Sequence, residues 1–267
     1  MCQLLGMNCN KPASLEFSLE GFVRRGGQTD EHRDGWGFAW FDDDDCRVLR
    51  DDRPSCSSPL AEQLRRAPVK SRNLIVHIRK ATQGAVDLSN CHPFSRKLWG
   101  RNWVFAHNGD LKNHALALDG SYTPAGTTDS EHAFCYVMQE LRRRCGPARP
   151  APAALLATMA DLCEEIACFG PFNFLLSDGS GLFAHCSTQL HHVRRAYPFR
   201  SVRLVDHDLS VDFARRNQID DRMTVIATKP LTTGEEWVAF APGELKYFCD
   251  GTETQPYAAP ARHALPA

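Results

Sequence analysis

The chain has 267 residues, 43% of them hydrophobic, and a formal net charge of −1 at pH 7. That length suits one large domain with a sizeable core, or two small ones, and the balanced charge gives no bulk electrostatic reason to expect nucleic acid or a membrane surface as partner. No apolar run approaches the ~18–20 residues of a membrane-spanning helix, and the N-terminus lacks the features of a signal peptide, so a cytoplasmic protein is expected.

In chain order, residues 2–8 predict a first strand, followed by an amphipathic helix near residues 14–25, where Leu15, Leu19 and Phe22 share one face. Arg24-Arg25-Gly26-Gly27 closes it, the glycines supplying the stop. Asp34-Gly35-Trp36-Gly37 leads into a strand to Phe41, and the four aspartates 42–45 read as a solvated hairpin tip before Cys46–Arg50. Metal loops space their oxygen ligands apart, so no metal is expected at this tip. A short helix near 58–66 precedes Asn73–Arg79, a strand rich in β-branched residues, and Trp103–Ala106 is the next strand. Thr128 and Glu131 have capping-box spacing and open the best helix of the chain, with Ala133, Phe134, Val137, Met138 and Leu141 behind them. A second helix is expected over Ala153–Ala167. Strands follow at Phe172–Leu176, Leu182–His185, Arg222–Thr228, Trp237–Ala241 and Glu244–Cys249. From Gly251 the proline, alanine and polar residues predict a disordered tail, so the domain is expected to span residues 1–250. Periodicity therefore implies one α/β domain with two packed, largely antiparallel sheets.

Eleven cysteines, an odd number with no C-x-x-C pair, read as neither a disulfide framework nor a zinc site. His191-His192 has no carboxylate or cysteine at ligand spacing, so no metal or cofactor is expected there.

Cys2 stands apart from the other cysteines. A small residue after the initiator methionine favours removal of Met1, which would leave a thiol and a free α-amine on one residue. An α-amine with a pKa of roughly 7.7–8 can take the proton of a thiol with a pKa near 8.5. Three polar clusters at the ends of predicted strands or at a helix start complement it. Arg79 offers a planar fork for a carboxylate, and Asp129 a charge for an ammonium, together a receptor for the head of an α-amino acid. Asn108 and Gly109 offer a side-chain amide and an unobstructed backbone N–H, suited to an oxyanion hole. His77 is expected on the same strand face as Arg79, as a core histidine or a support for the site.

Cys2, Arg25-Gly26, His77-Ile78-Arg79-Lys80-Ala81-Thr82-Gln83-Gly84, His107-Asn108-Gly109 and Thr128-Asp129-Ser130-Glu131 occur in that order. This set resembles the class II glutamine amidotransferases, the branch with an N-terminal cysteine nucleophile. Asp34-Gly35-Trp36-Gly37 and Leu98-Trp99-Gly100-Arg101-Asn102-Trp103 resemble its stand-alone, YafJ-type members. The resemblance, from Cys2 to about Asp250, implies a four-layer αββα sandwich of two mainly antiparallel sheets, of the N-terminal-nucleophile hydrolase type. It implies that Cys2 attacks the side-chain amide of glutamine and that Asn108 and Gly109 hold the oxyanion. Arg79, helped by Thr82, would bind the α-carboxylate, and Asp129 the α-ammonium. Where synthase members often carry histidine, this chain has Gln83, a polar contact. Arg25 becomes a candidate for supporting Cys2 or closing a lid, and Trp36 for a pocket wall or the core. No cofactor is implied. The partner is glutamine or another γ-glutamyl compound, and a separate ammonia-accepting synthase subunit is one destination for the ammonia. Hydrolysis of γ-glutamyl peptides or conjugates is the alternative, and a glutamine-sensing module without turnover is a third reading.

Overall fold

The computed structural model describes residues 2–42 and 45–254. Its frame is two antiparallel sheets stacked face to face, with helices on both outer surfaces. The first sheet contains β1 (Gln3–Ser14), β2 (Trp36–Asp42), β3 (Asp45–Asp51) and β4 (Lys70–Ile78), joined from the far end of the chain by two further strands, His191–Ala196 and Arg222–Ala227, and an edge bridge at Val238–Ala239. Helices α1 (Glu16–Phe22) and α2 (Pro59–Arg66) cover its outer face. The second sheet is built on β5 (Phe94–Leu98), β6 (Arg101–Gly109), β7 (Phe172–Ser177) and β8 (Leu182–Cys186), and is completed by Glu244–Cys249 and Thr252–Glu253. Helices α3 (Asp129–Cys145) and α4 (Pro152–Ala167) lie on its outer face. This is the αββα sandwich that the resemblance implies.

Period-two alternation explains the layering. On β1, Leu5, Met7 and Cys9 face α1 and α2, while Leu4 faces the other sheet. Gly6 lies on that inner face because the sheets approach closely there: a Cβ would sit 2.9 Å from Leu175 Cδ1. On β6, Trp103 and Phe105 face α3 and α4, and Val104 and Ala106 face the first sheet. Phe105 stacks on Phe134 of α3 with centroids 5.0 Å apart, a contact that contributes about 0.5–1.5 kcal/mol beyond burial. At the start of α3 the Thr128 hydroxyl accepts from the Glu131 N–H at 3.2 Å. Glu131 does not return the bond as a closed capping box would; it accepts from Gly126 N–H and pairs with Arg96 at 2.6 Å.

Several expectations need correction. The strands at Phe94–Leu98 and His191–Ala196, and a small three-stranded sheet containing Ser201–Leu204, Ser210–Asp212 and Thr232–Thr233, are additional to the sequence reading. The fold also does not end at Asp250. Gly251 is buried, its N–H donating to Asn8 Oδ1 at 2.8 Å, and Thr252–Glu253 pair as an edge strand. The rest of the expected tail lies outside the described residues, as do Asp43 and Asp44 of the hairpin tip, which Asp42 and Asp45 flank as paired neighbours.

Candidate active site

The sheet register brings the predicted residues together. Gln3 pairs with Ile78, so the residues just before and just after that pair, Cys2 and Arg79-Lys80, adjoin. The Cys2 sulfur lies against the Lys80 peptide: Lys80 N–H donates to Sγ at 3.2 Å and the thiol donates to Lys80 O at 3.3 Å. Burial pushes the Cys2 thiol pKa up; the Lys80 N–H and the positive charge of Arg79 oppose that, and the charge of Asp129 adds to it. A thiol in this setting needs a base to ionise.

Across the sandwich, Asn108 at the end of β6 donates from Nδ2 to the Cys2 carbonyl at 2.7 Å. The same amide lies 3.5 Å from the Thr228 hydroxyl, which also accepts from Leu4 N–H at 2.9 Å. Asn173 of β7 fixes the Asn108 backbone, donating to its carbonyl at 2.8 Å. Asn108 Oδ1 is buried and has no partner among the described residues. Gly109 closes β6 opposite Phe172, where a side chain has no room: a Cβ would fall 1.8 Å from Pro171 O.

Arg79 is buried, and its guanidinium donates to the carbonyls of Ala85 (2.9 Å), Gln83 (2.9 Å) and Gly84 (3.3 Å). Three of its five N–H groups are thus engaged with its own loop. Gln83 ties that loop to Asp110 Oδ1 and Leu111 O, and Thr82 is exposed. Asp34 braces the same segment from the other side, accepting from Ala81 N–H at 2.8 Å, while Arg79 N–H donates to Gly35 O. Asp129, at the first position of α3, is buried and accepts from Leu111 N–H at 2.8 Å. Cys2, Asn108, Gly109, Arg79 and Asp129 therefore occupy one end of the sandwich, held by peptide groups more than by side-chain pairs.

A model of the class II glutamine amidotransferases matches residues 1–265. YafJ of Escherichia coli K12, a provisionally named glutamine amidotransferase, is 44% identical over 251 residues, which are 94% of this chain and 98% of YafJ. A Haemophilus influenzae protein named in the same provisional way is also 44% identical, over 94% of this chain and 85% of its own length. The crystal structure of a predicted glutamine amidotransferase from Pseudomonas aeruginosa is 39% identical, covers 96% of this chain and all of that one, and superposes with a TM-score of 0.76.

The chain belongs to the class II glutamine amidotransferases. Two further residues singled out in its sequence have structural places in this amidotransferase fold. Trp36 is fully buried among the side chains between the first sheet and α1 and α2, the core placement of its two expected ones. Arg25 is a brace: it pairs with Asp206 at 2.8 Å and donates to Lys229 O (3.0 Å), Pro230 O (2.7 Å) and Gln3 Oε1 (3.4 Å). It thus holds Gln3, the neighbour of Cys2 along the chain. His77 is a buried second-layer residue, its Nε2 3.1 Å from His107 O and its Nδ1 3.2 Å from His92 Nδ1. The residues that sequence reasoning did not find are Thr228, Asn173 and the Lys80 backbone. Only Lys80 lay inside a recognised motif, and its contribution is a peptide group that side-chain chemistry does not announce. Among the described residues no cluster of histidine, cysteine, aspartate or glutamate could hold a metal ion, and no helix is long and apolar enough to cross a membrane.

Proposed function

We propose that this amidotransferase, once Met1 is removed, hydrolyses the side-chain amide of glutamine through a γ-glutamyl thioester on Cys2. The observation that carries the reading is the placement of Cys2: its sulfur lies on the Lys80 peptide and its carbonyl is held by Asn108 at 2.7 Å, at the end of the sandwich where Arg79 follows β4, Gly109 ends β6 and Asp129 starts α3. The Cys2 α-amine takes the thiol proton, and the sulfur attacks the amide carbon. Asn108 Nδ2 and Gly109 N–H stabilise the oxyanion. The unpartnered Asn108 Oδ1 is the kind of acceptor that an α-ammonium needs. The tetrahedral intermediate collapses, the α-ammonium returns its proton to the departing ammonia, and water deprotonated by the same amine then breaks the thioester to give glutamate and the free thiol. Arg79 binds the substrate α-carboxylate, which requires its loop carbonyls to yield, with Thr82 and Gln83 bordering the loop. Asp129 binds the α-ammonium. The receptor reads the γ-glutamyl head, so γ-glutamyl amides with larger leaving amines fall in the same substrate class. A cytoplasmic location and a separate ammonia-consuming subunit fit this chemistry.

The test is intact mass of the purified protein before and after 6-diazo-5-oxo-norleucine, with glutaminase assay alongside. A chain without Met1 that gains one adduct, lost together with turnover in Cys2→Ala, supports the reading. A processed chain that gains no adduct, or Cys2→Ala with substantial residual turnover, overturns it.

A further inference from the structure

Asp129 has one oxygen engaged and one nearly open. Oδ2 accepts from Leu111 N–H at 2.8 Å, whereas the hydrogen-bond neighbour of Oδ1 is the hydroxyl of Ser130, 3.4 Å away. That hydroxyl has a single proton, and its oxygen lies 2.8 Å from His107 Nδ1. The other nitrogen of the ring, Nε2, lies 3.2 Å from Pro171 O. A carbonyl only accepts, so Nε2 carries hydrogen. In the neutral imidazole Nδ1 is then a lone pair, and the Ser130 proton must point to it and away from Asp129.

We propose that His107 and Ser130 are a positioning pair that keeps Asp129 Oδ1 open for the α-ammonium of the substrate. The inference rests on the γ-glutamyl reading above and adds two residues to it. If His107 gains a second proton, Nδ1–H donates to Ser130 Oγ and the hydroxyl proton turns to Asp129 Oδ1. The carboxylate is then occupied, and a positive charge lies behind it. Both effects weaken ammonium binding.

The surroundings favour the neutral ring. His107 is buried, and burial pushes its pKa down, against the upward pull of Asp129, the Pro171 carbonyl and Asp110. The rings of Phe105 and Phe172 flank it, and the buried imidazoles of His77, His92 and His185 lie near enough that a charge on His107 disfavours charge on them. The same ring lies against Gly109, where a Cβ would come within 2.4 Å of His107 Nε2. His107 thus adjoins both the oxyanion end and the ammonium end of the site.

The test combines glutamine kinetics from pH 4.5 to 8.5 on the processed enzyme, Ser130→Ala and Ser130→Thr with nitrogen-15 NMR of the histidines. For the parent, KM should rise about tenfold per pH unit below the His107 ionisation if the doubly protonated form does not bind. In Ser130→Ala the acid rise should flatten, since only the charge effect remains, and Ser130→Thr, which retains a hydroxyl, should restore it. NMR at neutral pH should show His107 protonated on Nε2. A parent that binds glutamine while Ser130→Ala keeps the parental KM profile, or a His107 ring protonated on Nδ1 at neutral pH, overturns the pair and leaves the γ-glutamyl reading standing. A processed parent that neither binds glutamine nor takes the diazo adduct overturns both.

Discussion

Replacing Arg25 with methionine separates a brace from a substrate ligand. The side chains of Arg25 and Asp206 are 5% and 11% exposed, so the pair is close to fully desolvated. Removing one member of such a pair leaves the other charge buried without its partner, at a cost of about 3–5 kcal/mol. Asp206 keeps the Thr29 hydroxyl at 2.9 Å, which favours the lower end. The carbonyls of Lys229 and Pro230 lose their donors, roughly 1 kcal/mol each. A loss of about 5 kcal/mol follows, which for a domain of this size lowers Tm by roughly 10–20 °C. Asp206→Asn should cost less, because the guanidinium keeps its carbonyl acceptors, and the two substitutions together should cost less than their sum. Thermal unfolding of the parent, both single variants and the double variant measures this. KM for glutamine, taken well below each midpoint, should stay within about threefold of the parent, since no substrate contact is removed. A Tm change under about 2 °C accompanied by a large rise in KM would refute the brace and make Arg25 a ligand.

Arg79→Lys should raise KM for glutamine by tenfold or more and also loosen the 83–85 loop, because an ammonium cannot reproduce a planar fork; proteolysis of the loop and steady-state kinetics report the two effects, and an unchanged KM would assign the carboxylate elsewhere. Asn108→Ala should lower kcat by about 10²–10³ with a smaller effect on KM, as expected for a donor that acts on the oxyanion; equal loss in both would place its role in ground-state binding. Stability should fall on acidification. His77 and His92 are buried and their folded-state pKa values are pushed well below the ordinary value by desolvation and neighbouring charge. The unfolded chain therefore binds more protons once the pH drops below ~6.5, so the stabilising contribution is full above that pH and is lost below it, about 1.4 kcal/mol per histidine by pH 5.5. Urea unfolding at pH 7.5 and 5.5 should show a decrease of about 3 kcal/mol from this pair, and equal stabilities at the two pH values would contradict burial of neutral rings.

What the sequence made legible was the set of residues whose side chains do the chemistry and the strands with unbroken apolar patterns. Cys2, Arg79, Asn108, Gly109 and Asp129 were readable because each supplies an unusual group at a strand end or helix start. The strand at His191–Ala196 was hidden because one of its inward positions is Arg195, buried and paired with Glu235 at 2.7 Å, which breaks the apolar alternation. Phe94–Leu98 has only its two ends facing inward as apolar residues, too few to register as a period. Trp36 was ambiguous because a strand bordering a site exposes two faces, and the sequence does not say which face carries which neighbour. The contacts of Thr228 and Asn173 join strands more than 50 positions from their partners, and no local pattern encodes them.

The site depends on β6 in a way that its alternation makes explicit. Odd positions 103, 105 and 107 face the helices, and even positions 104, 106 and 108 face the other sheet. His107 therefore reaches Ser130 at the start of α3, while its neighbour Asn108 reaches Cys2 across the sandwich. Two adjacent residues serve two layers because successive side chains of a strand point in opposite directions. A slip of one residue would exchange them, sending the amide to α3 and the imidazole to Cys2. Gly109 helps to fix the register: the Pro171 carbonyl and the His107 ring occupy the space of a Cβ at that position, so any other residue brought there by a slip would collide with the neighbouring strand connection. The glycine that supplies a bare N–H to the proposed oxyanion hole is also the residue that keeps the amide and the imidazole on their proper sides.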